Sequence, residues 1–321
     1  MKTPIFISLL ILLVMSACTL PFGLTSAADS PTPAPVIVDE STPQVATPAP
    51  VIDTPALTVE QALNATYTLA SFDGGQMDYI LVDGSYQNGS DPAAVGYVAA
   101  FILRDQIALG DINGDGAGDA VVPVGLNFGG TGQFVFLAAL LNQGGMPVHA
   151  APATYGLGDR PIVQALSIEN GKINLAAIVS GPNDPACCPT VPLTMTFEYN
   201  EMGYRVLRVT TTAPTGLVRQ ISISDPAPEA SVGPQVTISG STTVGPFENT
   251  LLYRVYGPDG MAVSEAGFMV QNEDIGQPST FSLPLDFAAL GVSGHIRVEI
   301  AEMSMADGST LMLDSIYLNV K

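Results

Sequence analysis

The sequence predicts a mainly β protein: an α+β N-terminal domain, made of one short helix and an antiparallel meander, followed by a two-sheet β-sandwich. Three observations carry this. Apolar and polar residues alternate with period two through much of the chain, as at Phe281, Leu283, Leu285 and Phe287. Asn170-Gly171 stands between two alternating runs, the strongest short-range signal for a β-hairpin. A single stretch, residues 58–67, spaces its apolar residues as a helix does.

Residues 1–17 carry a positive head at Lys2, an apolar run at 5–14, and the small residues Ser16 and Ala17 directly before Cys18. That is the pattern of a secretory signal. Ending at a cysteine, it resembles the lipobox of bacterial lipoproteins, with Met15 where leucine is usual. The resemblance implies cleavage before Cys18 and a diacylglyceryl group on its sulfur. The chain would then be lipid-anchored in the cell membrane and lie on its extracytoplasmic face. A spanning helix needs ~18 or more apolar residues, which the 5–14 run does not supply. An ordinary signal cleaved near Ala27 or Ala28, with Cys18 incidental, is the other reading.

Residues 18–57 form the lipidated cysteine and a spacer rich in Pro, Thr, Ala and Ser, in which TPAPVIVD (32–39) recurs as TPAPVID (47–53). Such proline density excludes helix and favours polyproline II. At ~3.1 Å per residue that is a stalk of up to about 100 Å. A disordered tail of no set reach is the alternative.

Residues 58–212 are expected to form the first folded domain. Thr58 and Gln61 make a capping box, and Val59, Ala62, Leu63 and Tyr67 fall at helical spacing, which predicts a helix over 58–67. Strands are expected at 79–82, 97–109, 120–124 and 133–141. Two hairpins follow, 165–169 with 172–179 across Asn170-Gly171, and 193–199 with 204–209 across 200–203. One helix packed on an antiparallel meander results.

TTAPTG at 211–216 breaks the pattern, and residues 217–321 form the second domain. Leu251, Tyr253 and Val255 point one way, as do Ile296, Val298 and Ile300 against His295, Arg297 and Glu299. Val236 with Ile238, and Ile316 with Leu318 and Val320, continue the pattern. Short strands at this spacing indicate a two-sheet sandwich. Ile221 and Ile223 before Pro226, VGPQVTISG (232–240), PFENTL (246–251) and SMADGS (304–309) resemble the immunoglobulin-like domain of bacterial spore germination proteins. The resemblance covers the last third of the chain and implies an extracytoplasmic scaffold or binding module, with no catalytic residue to carry over.

The sharpest local motif is DINGDGAGD at 111–119. Asp111, Asn113, Asp115 and Asp119 alternate oxygen side chains along a turn that Gly116 lets reverse, and the Ala117 carbonyl offers another oxygen. Hard oxygen donors at this spacing suit a structural Ca²⁺. With Gly110 the stretch resembles the calcium loop of FG-GAP repeats, although it occurs once and lacks the bidentate acid of an EF-hand, Val122 standing at that position. A metal-free turn rich in Gly, Asn and Asp is the bland alternative.

Cys187 and Cys188 are adjacent in GPNDPACCPT (181–190). A structural vicinal disulfide, buried free thiols and a redox pair are the readings, in that order. GGTG at 129–132 lacks the lysine and helix of a phosphate loop, and His149 and His295 lie in no catalytic motif.

Acidic residues outnumber basic ones 30 to 10, for a formal net charge of −20, which repels nucleic acid and anionic headgroups. The functional expectation is a membrane-anchored, non-catalytic module of the cell envelope that binds cell-wall polymer or an envelope protein. A purely structural subunit is a second expectation. An envelope enzyme, a glycan hydrolase or thiol oxidoreductase acting through residues 58–212, is the alternative.

Overall fold

The computed structural model describes residues 54–272, 274 and 276–321. The expected signal peptide, Cys18 and most of the expected spacer lie outside the described residues. What is described is built almost wholly of antiparallel strands with one α-helix, as the alternation predicts.

Helix α1 (Val59–Leu63) is capped as expected: the Thr58 side chain accepts from Gln61 N, and the Gln61 side chain accepts from Thr58 N at 2.9 Å. It is shorter than the 58–67 expected. Asn64 closes it, and Tyr67 belongs instead to β1 (Thr66–Ala70), a run with β-branched Thr66 and Thr68 that pairs with β2 (Gln76–Ile80). Tyr67 is fully buried and donates its hydroxyl to Ala62 O at 2.7 Å, so the helix and the hairpin are pinned together.

Next come β3 (Ser85–Asn88), β4 (Val98–Ile102), β5 (Ala108–Gly110), β6 (Asp119–Asn127), β7 (Phe134–Gln143) and β8 (Met146–Asp159). They form a six-stranded sheet in the order β3-β4-β6-β7-β8, with β5 also on β6. The single strand expected over 97–109 is two, separated by a 3₁₀ turn at Arg104–Gln106. Pro123 explains the break. It lies in β6 between the segments that pair with β4 and with β5, where no N–H is asked of it. Strand β6 is buried along nearly its whole length because both faces are covered. Val122, Val124 and Leu126 pack with α1, β1 and β2, whereas Val121 faces the strands that follow.

Those are β9 (Ile162–Glu169), β10 (Lys172–Val179), β11 (Val191–Asn200) and β12 (Gly203–Thr212), a meander with both expected hairpins in place. Asn170 and Gly171 both have positive φ, 51° and 72°, as a two-residue I′ turn requires.

The remaining strands are β13 (Val218–Arg219), β14 (Ile221–Asp225), β15 (Ser231–Val232), β16 (Gln235–Thr242), β17 (Thr250–Tyr256), β18 (Ala262–Met269), β19 (Ser279–Asp286), β20 (Gly294–Met303) and β21 (Thr310–Val320). One face of the sandwich is the three-stranded sheet β14-β16-β19. The opposite face, β18-β17-β20-β21, is part of a ten-stranded sheet that continues through β12, β11 and β10 to β9. Between the faces lie Ile238, Leu251, Val255, Phe281, Ile296, Val298, Ile300 and Leu318, the positions the alternation selects. The opposite side of β20 is not the solvent face the sequence suggests. Arg297 and Glu299 are buried and bonded to each other at 3.0 Å, and Arg297 lies 4.0 Å over the Tyr256 ring.

The link between β12 and β21 is a short ladder, Arg208↔Asp314 and Val209↔Leu313. Side chains extend it. Arg208 donates to Asp314 Oδ1 through Nε at 3.2 Å and Nη2 at 3.1 Å, and Ile223 N donates to Asp314 Oδ2 at 3.0 Å. Thr211 Oγ1 donates to Leu311 O, and Ser315 Oγ to Leu207 O. Replacing Asp314 with alanine leaves the Ile223 N–H without its acceptor and frees Arg208, at an expected cost of about 1–3 kcal/mol. Urea unfolding of Asp314→Ala beside Asp314→Asn measures it, and the asparagine variant should lose less.

Candidate functional site

The loop at 111–119 joins β5 to β6 and closes largely on itself. Asp111 accepts from Gly114 N at 2.7 Å and Gly116 N at 2.9 Å. Asp115 accepts from Ala117 N at 2.8 Å and from the Asn113 side chain at 2.9 Å. Asp119 turns inward: fully buried, it accepts from Ile112 N at 3.0 Å and Asn142 N at 2.8 Å, tying the loop to β7. Burial pushes its carboxyl pKa up, the two N–H donors pull it down, and the charges of Asp115 and Asp111 raise it further. Asp111, Asn113, Asp115 and Asp119 thus share one loop, but Asp119 faces the core. Among the described residues no group of three or more His, Cys, Asp or Glu side chains is arranged to hold a metal ion.

The turn at 181–190 is organised by Asp184, which accepts from Gly181 N, Thr190 N and Thr190 Oγ1, each at 2.8 Å. The Gly181 N–H and the Thr190 hydroxyl hold its carboxyl below the usual range. Cys187 and Cys188 are joined there as a vicinal disulfide with Cα atoms 3.8 Å apart, and both are exposed. Arg160 donates to Ala186 O, fastening the turn to the end of β8.

Both histidines are engaged with neighbouring groups. His149 lies in β8, where Nδ1 accepts from Thr68 N at 3.0 Å and Nε2 meets Thr154 Oγ1 at 3.2 Å. His295 stacks on Tyr317 and meets Glu229 at 3.0 Å. The 129–132 glycines lie in the connection between β6 and β7, as a turn.

A feature that no motif announces is a cleft of about 620 Å³ at the ends of β8, β10, β11 and β12, closed on the far side by the turn leading into β21. Leu157, Val179, Leu193, Met195, Val209 and Leu311 give it apolar walls. Such a volume with such walls falls within the ~300–1,000 Å³ of small-molecule sites. Its polar groups are mostly engaged: Asp159 accepts from Gln133 N, Thr211 donates to Leu311 O, and Ser309 donates to Asp307. The side chains of Tyr155, Ser180 and Thr212 make no hydrogen bond to a described residue, and neither does Arg219, half-buried on β13, whose guanidinium is the cation among them and has no ion pair with a described carboxylate. The only sequence signal for it is a lone cation just past the TTAPTG break.

Residues 220–309 match the family described as the immunoglobulin-like domain of bacterial spore germination, less than a third of the chain. The match ends at Ser309, immediately before β21, the strand that completes the sheet. No curated protein matches the chain. The C-terminal region is therefore an immunoglobulin-like β-sandwich, a kind of domain that in general binds or supports and does not catalyse.

Burial lowers the His149 pKa to about 4, against a smaller upward pull from Asp78. A folded pKa below the unfolded value of ~6.5 adds stability that is complete above ~6.5 and is lost as the pH falls towards 4. Urea midpoints taken from pH 7 to pH 4.5 should fall for the native chain and fall less steeply for His149→Gln.

Proposed function

We propose that the chain is a membrane-anchored extracytoplasmic lipoprotein whose folded part is a non-catalytic binding or scaffold module of the cell envelope. The observation that carries this is the immunoglobulin-like sandwich over residues 220–309, fused by a shared sheet to a second β-rich region, and the N-terminal sequence that reads as an export signal supports it. Cys18 is the proposed lipid attachment point. Its support is the run of small residues that ends at it. Cell-wall polymer or an envelope protein is the proposed partner, and the net charge of −20 argues against nucleic acid. Metabolic labelling with palmitate and fractionation should place the native chain, labelled, in the membrane, and should leave Cys18→Ala unlabelled and released from it. A native chain that stays unlabelled sinks the anchor.

Ca²⁺ at 111–119 is proposed as a structural ion. What supports it is donor chemistry: Asp111, Asn113, Asp115 and the Ala117 carbonyl crowd one turn, and the charges of Asp111 and Asp115 already act on Asp119. A cation there competes with the loop's own N–H donors, which argues for weak binding of about 10⁻⁴–10⁻³ M. Millimolar Ca²⁺ should raise the melting temperature relative to EDTA, because the ion binds the folded state alone. Equal melts reject the site.

A further inference from the structure

The geometry points to the cleft between β8, β10 to β12 and the turn before β21 as a binding site for a single-chain amphiphile: an aliphatic body lying on the apolar walls and a terminal carboxylate paired with Arg219.

Charge accounting singles out Arg219. Among the described residues, Arg104, Arg160, Lys172, Arg205, Arg208, Arg254 and Arg297 each have a carboxylate within ion-pair distance. That leaves Lys321 and Arg219, and Arg219 lines the cleft. In a chain this acidic, a half-buried guanidinium with no ion pair to a described carboxylate is unusual, since acids are abundant and taking a charge from water without pairing it is costly. Its planar fork matches a carboxylate in bidentate fashion. Glu302, which lines the adjoining cleft with Arg219, does not fill this role. It accepts from Phe247 N at 2.8 Å, and it feels the arginine's charge without coming within ion-pair distance.

The walls indicate what is attached to the anion. Leu157 and Met195 belong to the core between the six-stranded sheet and the meander, and Leu311 to the strand that enters from the sandwich. An aliphatic chain laid along them excludes water from the cleft that Arg219 also lines. The assignment names a ligand for the binding-module reading and rests on it.

The test is equilibrium dialysis of the purified full chain, freed of non-covalent lipid, with radiolabelled palmitate and with 1-hexadecanol. Palmitate should bind saturably at one site and hexadecanol at least tenfold more weakly. Arg219→Ala should weaken palmitate tenfold or more with its melting temperature kept, and Arg219→Lys should recover part of the loss. Ser180→Trp, at the rim, should block both ligands. No saturable palmitate binding, equal affinity for the two ligands, or binding indifferent to Arg219→Ala overturns the proposal. So does a hydrophobic peptide with a free C-terminal carboxylate that outcompetes palmitate, which would assign the cleft to a protein partner. Loss of binding with membrane retention intact strikes the ligand alone, and release from the membrane with binding intact strikes the anchor alone.

Discussion

The pairing of β12 with β21 is the constraint on which the rest depends. Two residue pairs join the meander to the sandwich sheet, too few for ladder hydrogen bonds alone to fix the alignment. Side chains supply what the ladder lacks: Arg208 on Asp314, Arg297 on Val206 O and Ser315 on Leu207 O. Tyr317 extends the contact by donating to Glu198 while it accepts from Arg205 at 2.6 Å. Ala301 and Leu313 are thereby brought into the core of the preceding region, and Leu311 becomes a wall of the cleft.

The acidity of the chain has a local explanation in the fold. Many carboxylates are spent on their own turns, accepting backbone N–H groups a few residues ahead: Asp91 from Ala93, Asp259 from Met261, Asp286 from Ala289 and Asp307 from Ser309. Asp111 and Asp184 do the same in the two loops of interest. Short polar side chains that satisfy the backbone in this way are what turns between strands require. Part of the negative charge is thus tied to the strand connections.

The parts of the fold that were legible are those written in local pattern. Period-two alternation marked the sandwich core from Ile238 to Leu318, Asn170-Gly171 marked its hairpin, and Thr58 with Gln61 marked the helix start. Strand β8 was missed because Pro147, Pro152, Gly156 and Gly158 interrupt its alternation, and it is held by pairing with β7 instead. Tyr67 fits a helical face and a strand equally well, and pairing with β2 decided the matter. Among the site residues, the loop at 111–119 could be read because its residues are contiguous. The cleft could not, since Leu157, Val209, Arg219 and Leu311 meet only once the sheets are assembled.

The place of β21 in the middle of the large sheet has a consequence for the order of assembly. Arg208 and Asp314 are separated by 106 positions, so the pairing that seats β21 beside β12 closes a long stretch of chain. Contacts so distant in sequence close slowly, because the intervening chain must be ordered first. Without β21 only the two-residue β13 covers that side of β12, and an uncovered edge is the kind of surface on which strands of other molecules add. By occupying the middle of the large sheet, β21 therefore protects the β12 edge from mispairing.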